Sequence, residues 1–160
     1  MVEADGLSVL ADPVAQELLG AALPARLAYN WHDGTPRVVP IWFHWTGEEI
    51  VMAGPPDAPK VEAIRARPEV ALTIDATDWP YQVLLIRGTA SVEMVDGLAP
   101  EYVEAARKHF GDEGGEAWAG QVGQIMAQSA RIAVRPTWAK VLDFETRFPE
   151  ALARRMGQPG

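Results

Sequence analysis

Residues 54–75 read GPPDAPKVEAIRARPEVALTID. Three prolines in the first six positions make residues 54–58 a stiff connection rather than a strand. Pro59 suits the first position of a helix, and Val61 and Ile64 recur at helical spacing. The helix is expected over 59–66. Pro68 stops it, because the residue before a proline is driven out of the α region. Val70, Leu72 and Ile74 then alternate with other residues, the period of a strand buried on one face. Lys60 falls in the first turn of the helix, where unbonded backbone amides and the positive end of the helix dipole favour an anion. By spacing alone, a solvated lysine on a short helix is the leading reading. Arg65 and Arg67 lie further along and need not converge on it.

Outward from this unit the chain reads mostly as strands. Upstream, Asp12-Pro13 opens a helix that ends near Gly20, followed by a short strand over 25–30. His32-Asp33-Gly34-Thr35 forms a turn. Residues 37–45 read as one strand, rich in β-branched and aromatic residues, with Pro40 marking an edge or a bulge. A turn at 46–48 leads to a return strand over 49–53, which completes a β-meander. Downstream, 76–81 is a loop and 82–94 a long strand. Gly88 within that strand signals a bulge or a close backbone approach. A helix is expected over 100–110, a flexible acidic linker over 111–115, a second helix over 116–128 and a last strand over 131–144. The fold expected is α+β and mainly β: six antiparallel strands in a closed or nearly closed barrel with flanking helices. Residues 1–150 make one domain and 151–160 a flexible tail.

Composition narrows the function. Apolar residues make up 48% of the 160, and 22 acids against 14 Lys and Arg give a net charge of −8. That balance opposes general affinity for nucleic acid or an anionic membrane. With no cysteine, disulfides and thiolate chemistry are excluded. The opening residues lack the cationic start and apolar run of a secretory signal, and no stretch is long and apolar enough to span a bilayer. A cytoplasmic location is the expectation. His32, His44 and His109 lack spaced ligand partners, so no metal site is expected. No nucleophile-elbow, P-loop or dinucleotide-binding motif occurs. Six tryptophans, Trp42, Trp45, Trp79 and Trp138 among them, serve either a core and subunit interface or a flat aromatic ligand.

Four segments resemble the pyridoxamine 5′-phosphate oxidase-like superfamily of split β-barrels. They are 37–43, 59–72, 83–90 with its Arg87-Gly88-Thr89-Ala90, and Arg135-Pro136 leading into 141–144. Together they span about residues 12–148. The resemblance implies a homodimer with the cofactor between subunits, FMN as the usual ligand and the deazaflavin F420 as the alternative. It implies that the backbone of Val39, Pro40, Ile41 and Trp42 lies against the cofactor ring, with Ala53 and Gly54 also touching it. Ala58, Pro59 and Lys60 end the phosphate loop, with Lys60 on the phosphate. Gln82 faces the ring, and Trp138 or Phe144 reaches the partner's cofactor. No catalytic side chain is implied, since the cofactor carries the hydride. The chain departs from the FMN-binding pattern at Val38, where an arginine is usual, and at Ala58-Pro59, where serine and arginine are usual. It also lacks the C-terminal motif of true pyridoxamine-phosphate oxidases. The expected function is therefore hydride transfer to or from a small organic substrate other than vitamin B6. The alternative is a non-catalytic protein that binds, stores or senses a flavin, F420 or haem.

Overall fold

Asp12 starts the first helix as its sequence suggests: one carboxylate oxygen accepts from the Val14 amide at 2.9 Å, and Pro13 occupies the first helical position. The computed structural model describes residues 6–157. Its helices are α1 (Pro13–Gly20), α2 (Pro59–Ala66), α3 (Pro100–Ile125) and α4 (Glu150–Arg155), with a 3₁₀ turn at Ser8–Ala11. Its strands are β1 (Ala25–Asn30), β2 (Pro36–Ile41), β3 (His44–Trp45), β4 (Ile50–Gly54), β5 (Glu69–Asp75), β6 (Gln82–Asp96) and β7 (Gln128–Asp143). Every ladder is antiparallel, in the order β2-β1-β5-β6-β7-β4-β3.

The α+β class holds, but the sheet has seven strands where six were expected. The stretch 37–45 is not one strand: it is cut at Trp42-Phe43. Its first part pairs with β1 on one edge and its second part with β4 on the other. The expected meander fails at the same place, since β4 pairs with β3 and β7 rather than with β2. Propensity recorded the β character of both halves but not the jump between edges. Phe43, fully buried, anchors the crossing. Three residues of chain span at most ~11 Å, whereas the edges of a flat seven-stranded sheet stand ~29 Å apart. The sheet must therefore curl until its edges are neighbours. No ladder joins β2 to β3, so it is not closed by hydrogen bonds. Pro40 is tolerated because β2 has a neighbour on one side only.

β6 and β7 serve two half-sheets. Residues 83–89 of β6 pair with β5, and residues 130–134 of β7 pair with β4. Between the halves the register shifts: Arg87 faces Trp138 but Gly88 faces Pro136, leaving Thr137 bulged. A Cβ on Gly88 would lie 2.5 Å from the Arg135 carbonyl oxygen. The glycine therefore permits the backbone contact at which the long pair bends. Inside, Leu27, Ile64, Leu72, Ile74, Leu84 and Ile132 belong to one core cluster.

The expected linker at 111–115 is helical. α3 breaks only at Gly111 (φ 75°, ψ 174°) and resumes at once. A Cβ on Gly115 would lie 2.7 Å from the Arg107 backbone, so this glycine serves close packing of the two helical halves. Arg107 pairs with both Glu104 and Glu116 and bridges the break. α4 overlaps the expected tail from residue 151 and buries Ala153; residues 158–160 of that tail lie outside the described residues.

Candidate functional site

β4 ends at Gly54, and the Ala58 amide donates to the Pro55 carbonyl at 3.1 Å to turn the chain into α2. Ala58 is the N-cap and has no side-chain acceptor to offer, and Pro59 follows it. The first turn of α2 thus carries no side-chain cap. Lys60 lies in that turn, half-buried, and folds back over the end of β4. Its Nζ lies 4.0 Å from where a Cβ on Gly54 would stand, an ordinary contact distance, so the ammonium sits against the end of β4. Burial alone pulls its pKa below the usual lysine value. Glu62, the nearest acid in the helix, is engaged by Arg65 at 3.1 Å. Lys60 has no ion pair or side-chain hydrogen bond among the described residues. A partly desolvated cation without a counter-ion is costly, and here it stands in a first turn without a side-chain cap, where Pro59 has no N–H and the Val61 amide donates to the Ala58 carbonyl at 2.9 Å. The corner is chemically complementary to an anion, and phosphate suits it.

The other sequence-derived candidates occupy three further places. The outer face of the sheet carries a cleft of about 290 Å³ lined by Arg26, Val38, Thr73, Leu85, Arg87 and Trp138. Val38 is 66% exposed there, and the Arg87 guanidinium lies 4.2 Å from the Trp138 ring centroid. Val39 and Ile41 of β2 are half-buried, while Pro40 is exposed on the edge. Trp42 leaves the sheet and enters an aromatic group on α3. It stacks on His109 at 4.5 Å and 14°, with Phe110 edge-on at 5.4 Å and Trp118 at 6.3 Å. Gln82 starts β6 opposite Asp143, and next to it Phe144, Tyr81, Trp79 and Phe148 form a second aromatic group. Trp79 is 68% exposed.

The structure therefore brings Gly54, Ala58, Pro59 and Lys60 together, with Ala53 buried behind them. It sets Gln82 and Phe144 apart from that corner. Gly54 pairs with Ala130, which pairs with Met94; from there Gln82 is ~40 Å away along the contour of β6. Sequence reasoning missed Arg26 and Arg87 in the outer cleft. Their signal was strand alternation, since Leu85 and Arg87 share a face that Ile86 does not. It also missed the clamp of α3 on Trp42, for which local sequence carries no signal. No group of three or more His, Asp or Glu side chains suited to a metal occurs among the described residues, and no helix there is long and apolar enough to cross a membrane.

Residues 11–143 match the family model described as pyridoxamine 5′-phosphate oxidase. No curated protein sequence matches significantly. Among solved structures, an F420 reductase is 27% identical, with 78% of this chain and 94% of that one covered and a TM-score of 0.57. A conserved hypothetical protein from Mycobacterium tuberculosis is 17% identical over 90% of this chain and 86% of its own, with a TM-score of 0.65. HutZ, the haem storage protein of Vibrio cholerae, is 16% identical over 82% and 93%, with a TM-score of 0.60. The last two likenesses concern the fold alone.

Proposed function

Because the chain belongs to the pyridoxamine 5′-phosphate oxidase family, we propose that it is an oxidoreductase built on a flavin-type cofactor, with F420 ahead of FMN. The observation that carries this reading is the half-buried, unpaired Lys60 ammonium on Gly54 at the uncapped start of α2. FMN ends in a phosphate monoester that approaches two negative charges at neutral pH, whereas F420 carries a phosphodiester with one. A single lysine and its own backbone amide match one charge. Val38, Ala58 and Pro59 add no further donor. The F420 reductase likeness supports the same choice.

In this reading Lys60, with its own backbone amide at the start of α2, holds the phosphate, and the unpaired edge of β2 from Val39 to Ile41, with Trp42 beyond it, lines the ring. The bound group supplies hydride transfer, and no side-chain acid or base is assigned to that step. A second copy of the chain covers the outer cleft, where Trp138 and Arg87 lie, and completes the site. The clustered aromatic side chains exclude water from the ring, which favours hydride transfer over proton leakage.

Titration of the purified chain with F420 and, separately, with FMN tests the reading, followed by fluorescence. F420 is expected to bind more tightly. Lys60→Ala is expected to weaken it by ~1.5–3 kcal/mol, the value of a charge-assisted contact. Stopped-flow reduction by NADPH, or oxidation of reduced F420 by an added acceptor, separates an enzyme from a carrier. A chain that binds neither cofactor overturns the proposal, and tighter binding of FMN overturns the ranking.

A further inference from the structure

Away from the Lys60 corner, α1, β3 and α3 enclose a cleft of about 190 Å³ lined by Gln16, Leu19, His44, Trp45, Glu104 and Lys108. Lys108 is one of three lysines in the chain, with Lys60 and Lys140. Its Nζ stands 3.9 Å from the Phe43 ring centroid and donates one long hydrogen bond, 3.4 Å, to the Leu19 carbonyl at the end of α1. No carboxylate pairs with it among the described residues. Glu104, which lines the same cleft, is taken by Arg107 at 2.6 Å. Gln16 spends its amide nitrogen on the Leu10 carbonyl at 2.6 Å.

We propose that Lys108 is a nucleophilic lysine whose amine takes a short, neutral carbonyl compound as a Schiff base in this cleft. Three features converge on that chemistry. The amine is half-buried, it has no carboxylate partner among the described residues, and it opens onto a cavity of small-molecule size, although the Phe43 ring face favours its charged form. Burial pushes its pKa down to about 8. Near neutral pH it therefore holds a far larger neutral fraction than an ordinary lysine. His44 from β3 lines the cleft, and His109 follows Lys108 on α3, stacked on Trp42, where burial and then the Lys108 charge lower its pKa. From α1, Gln16, Leu19 and Gly20 line the cleft, and none of them titrates.

In the step, the lysine lone pair adds to the carbonyl carbon and the carbonyl oxygen takes a proton, giving a carbinolamine. Loss of that oxygen as water, with departure of the remaining N–H proton, gives the imine. His44, which lines the same cleft, is assigned the relay of these protons. No oxidant or reductant is consumed.

The full-length chain is treated with propionaldehyde and cyanoborohydride, which reduces any imine to a stable propyl-lysine. Peptide mass spectrometry then reads each lysine separately. A neutral probe keeps the test independent of the anion proposed at Lys60, and Lys140, paired with Glu150 on the surface, is the internal reference. At pH 7 a pKa of about 8 leaves about 200-fold more free amine than an ordinary lysine has, so Lys108 is expected to label at least tenfold faster than Lys140, with its rate levelling off above pH about 8. His44→Gln is expected to slow Lys108 severalfold and leave Lys140 unchanged. If Lys108 does no more than cap α1, it labels no faster than Lys140, and that result overturns the proposal. A Lys108 rate that climbs in parallel with Lys140 up to pH 10 overturns it as well. An unchanged Lys108 rate in His44→Gln removes the role given to His44.

Discussion

Gly88 has no room for a methyl group: besides the Arg135 carbonyl oxygen, a Cβ there would meet Val134 Cγ1 at 2.7 Å. Gly88→Ala must push β6 and β7 apart at their bend, at a cost of ~1–3 kcal/mol read from urea unfolding. This constraint was legible in the sequence, because a glycine inside an otherwise apolar strand has few other uses. Asp12 makes a second residue-scale prediction. It caps α1 and also accepts from both terminal nitrogens of Arg147, at 2.7 and 3.1 Å. The Arg147 guanidinium, ahead of the capping amide of Val14, holds its carboxyl below the ordinary value of 3.8 despite opposing burial. Since the folded-state pKa is the lower one, this stabilisation is present above pH 3.8 and is lost as pH falls through the folded value. Asp12→Ala is expected to cost ~1–2 kcal/mol at pH 7, mostly the cap. The difference from wild type should narrow in acid below the folded value by only the ion-pair part, ~0–1 kcal/mol, because a protonated Asp12 still accepts from the Val14 amide. Asp12→Asn, which keeps the cap, should cost less, because a partly exposed ion pair contributes ~0–1 kcal/mol. Only the cap was legible: Arg147 is 135 residues away, and no local rule pairs the two.

At the scale of elements, α2 and β1 were legible to the residue. Pro59 and Pro68 bracket α2, and the turn at Gly34, with φ 84°, sets the β1–β2 hairpin. α3 was not. Its five residues 111–115 contain three glycines, which read as flexibility, yet two of them serve geometry. Gly111 adopts φ 75° and ψ 174°, a region nearly closed to other residues, and Gly115 lets the two helical halves touch. Across the break, Trp118 Nε1 donates to the Tyr102 hydroxyl at 2.9 Å. Gly111→Ala is therefore expected to cost ~1–3 kcal/mol and to shift Trp118 fluorescence. Gly120→Ala is the control. It lies in the same helix with nothing within 4 Å of where its methyl group would stand and no positive φ. It is expected to stabilise by ~0.5–1 kcal/mol. Equal losses in the two variants would contradict this account of the break.

At the scale of the whole molecule, the outer cleft is apolar at Val38 and Leu85, cationic at Arg87, and flanked by Trp138 and by Arg26, which pairs with Asp75 at 2.9 Å. In the proposed dimer a second copy covers it. Val38→Glu would then replace an apolar contact with a charged side chain whose desolvation outweighs its attraction to Arg87. The variant is expected to shift the chain to monomer in size-exclusion chromatography with light scattering, and to weaken cofactor binding in parallel. A wild-type chain that is monomeric at micromolar concentration contradicts the dimer. A Val38→Glu chain that stays dimeric contradicts the choice of face.

The sequence by itself determined which segments are helix and which are strand nearly everywhere, because those properties follow from side-chain period, proline and glycine. It also determined the family pattern and singled out Lys60, whose place in a first helical turn is a local fact. Tertiary structure decided what no period encodes. It sent residues 44 and 45 to the opposite sheet edge from residues 36–41, turned an apparent linker into helix, and left Lys60 without a counter-ion among the described residues. It also enclosed Lys108 between Phe43 and the end of α1. Pairing, burial and desolvation depend on which distant segments meet, and that is settled only when the sheet curls and its two edges come together.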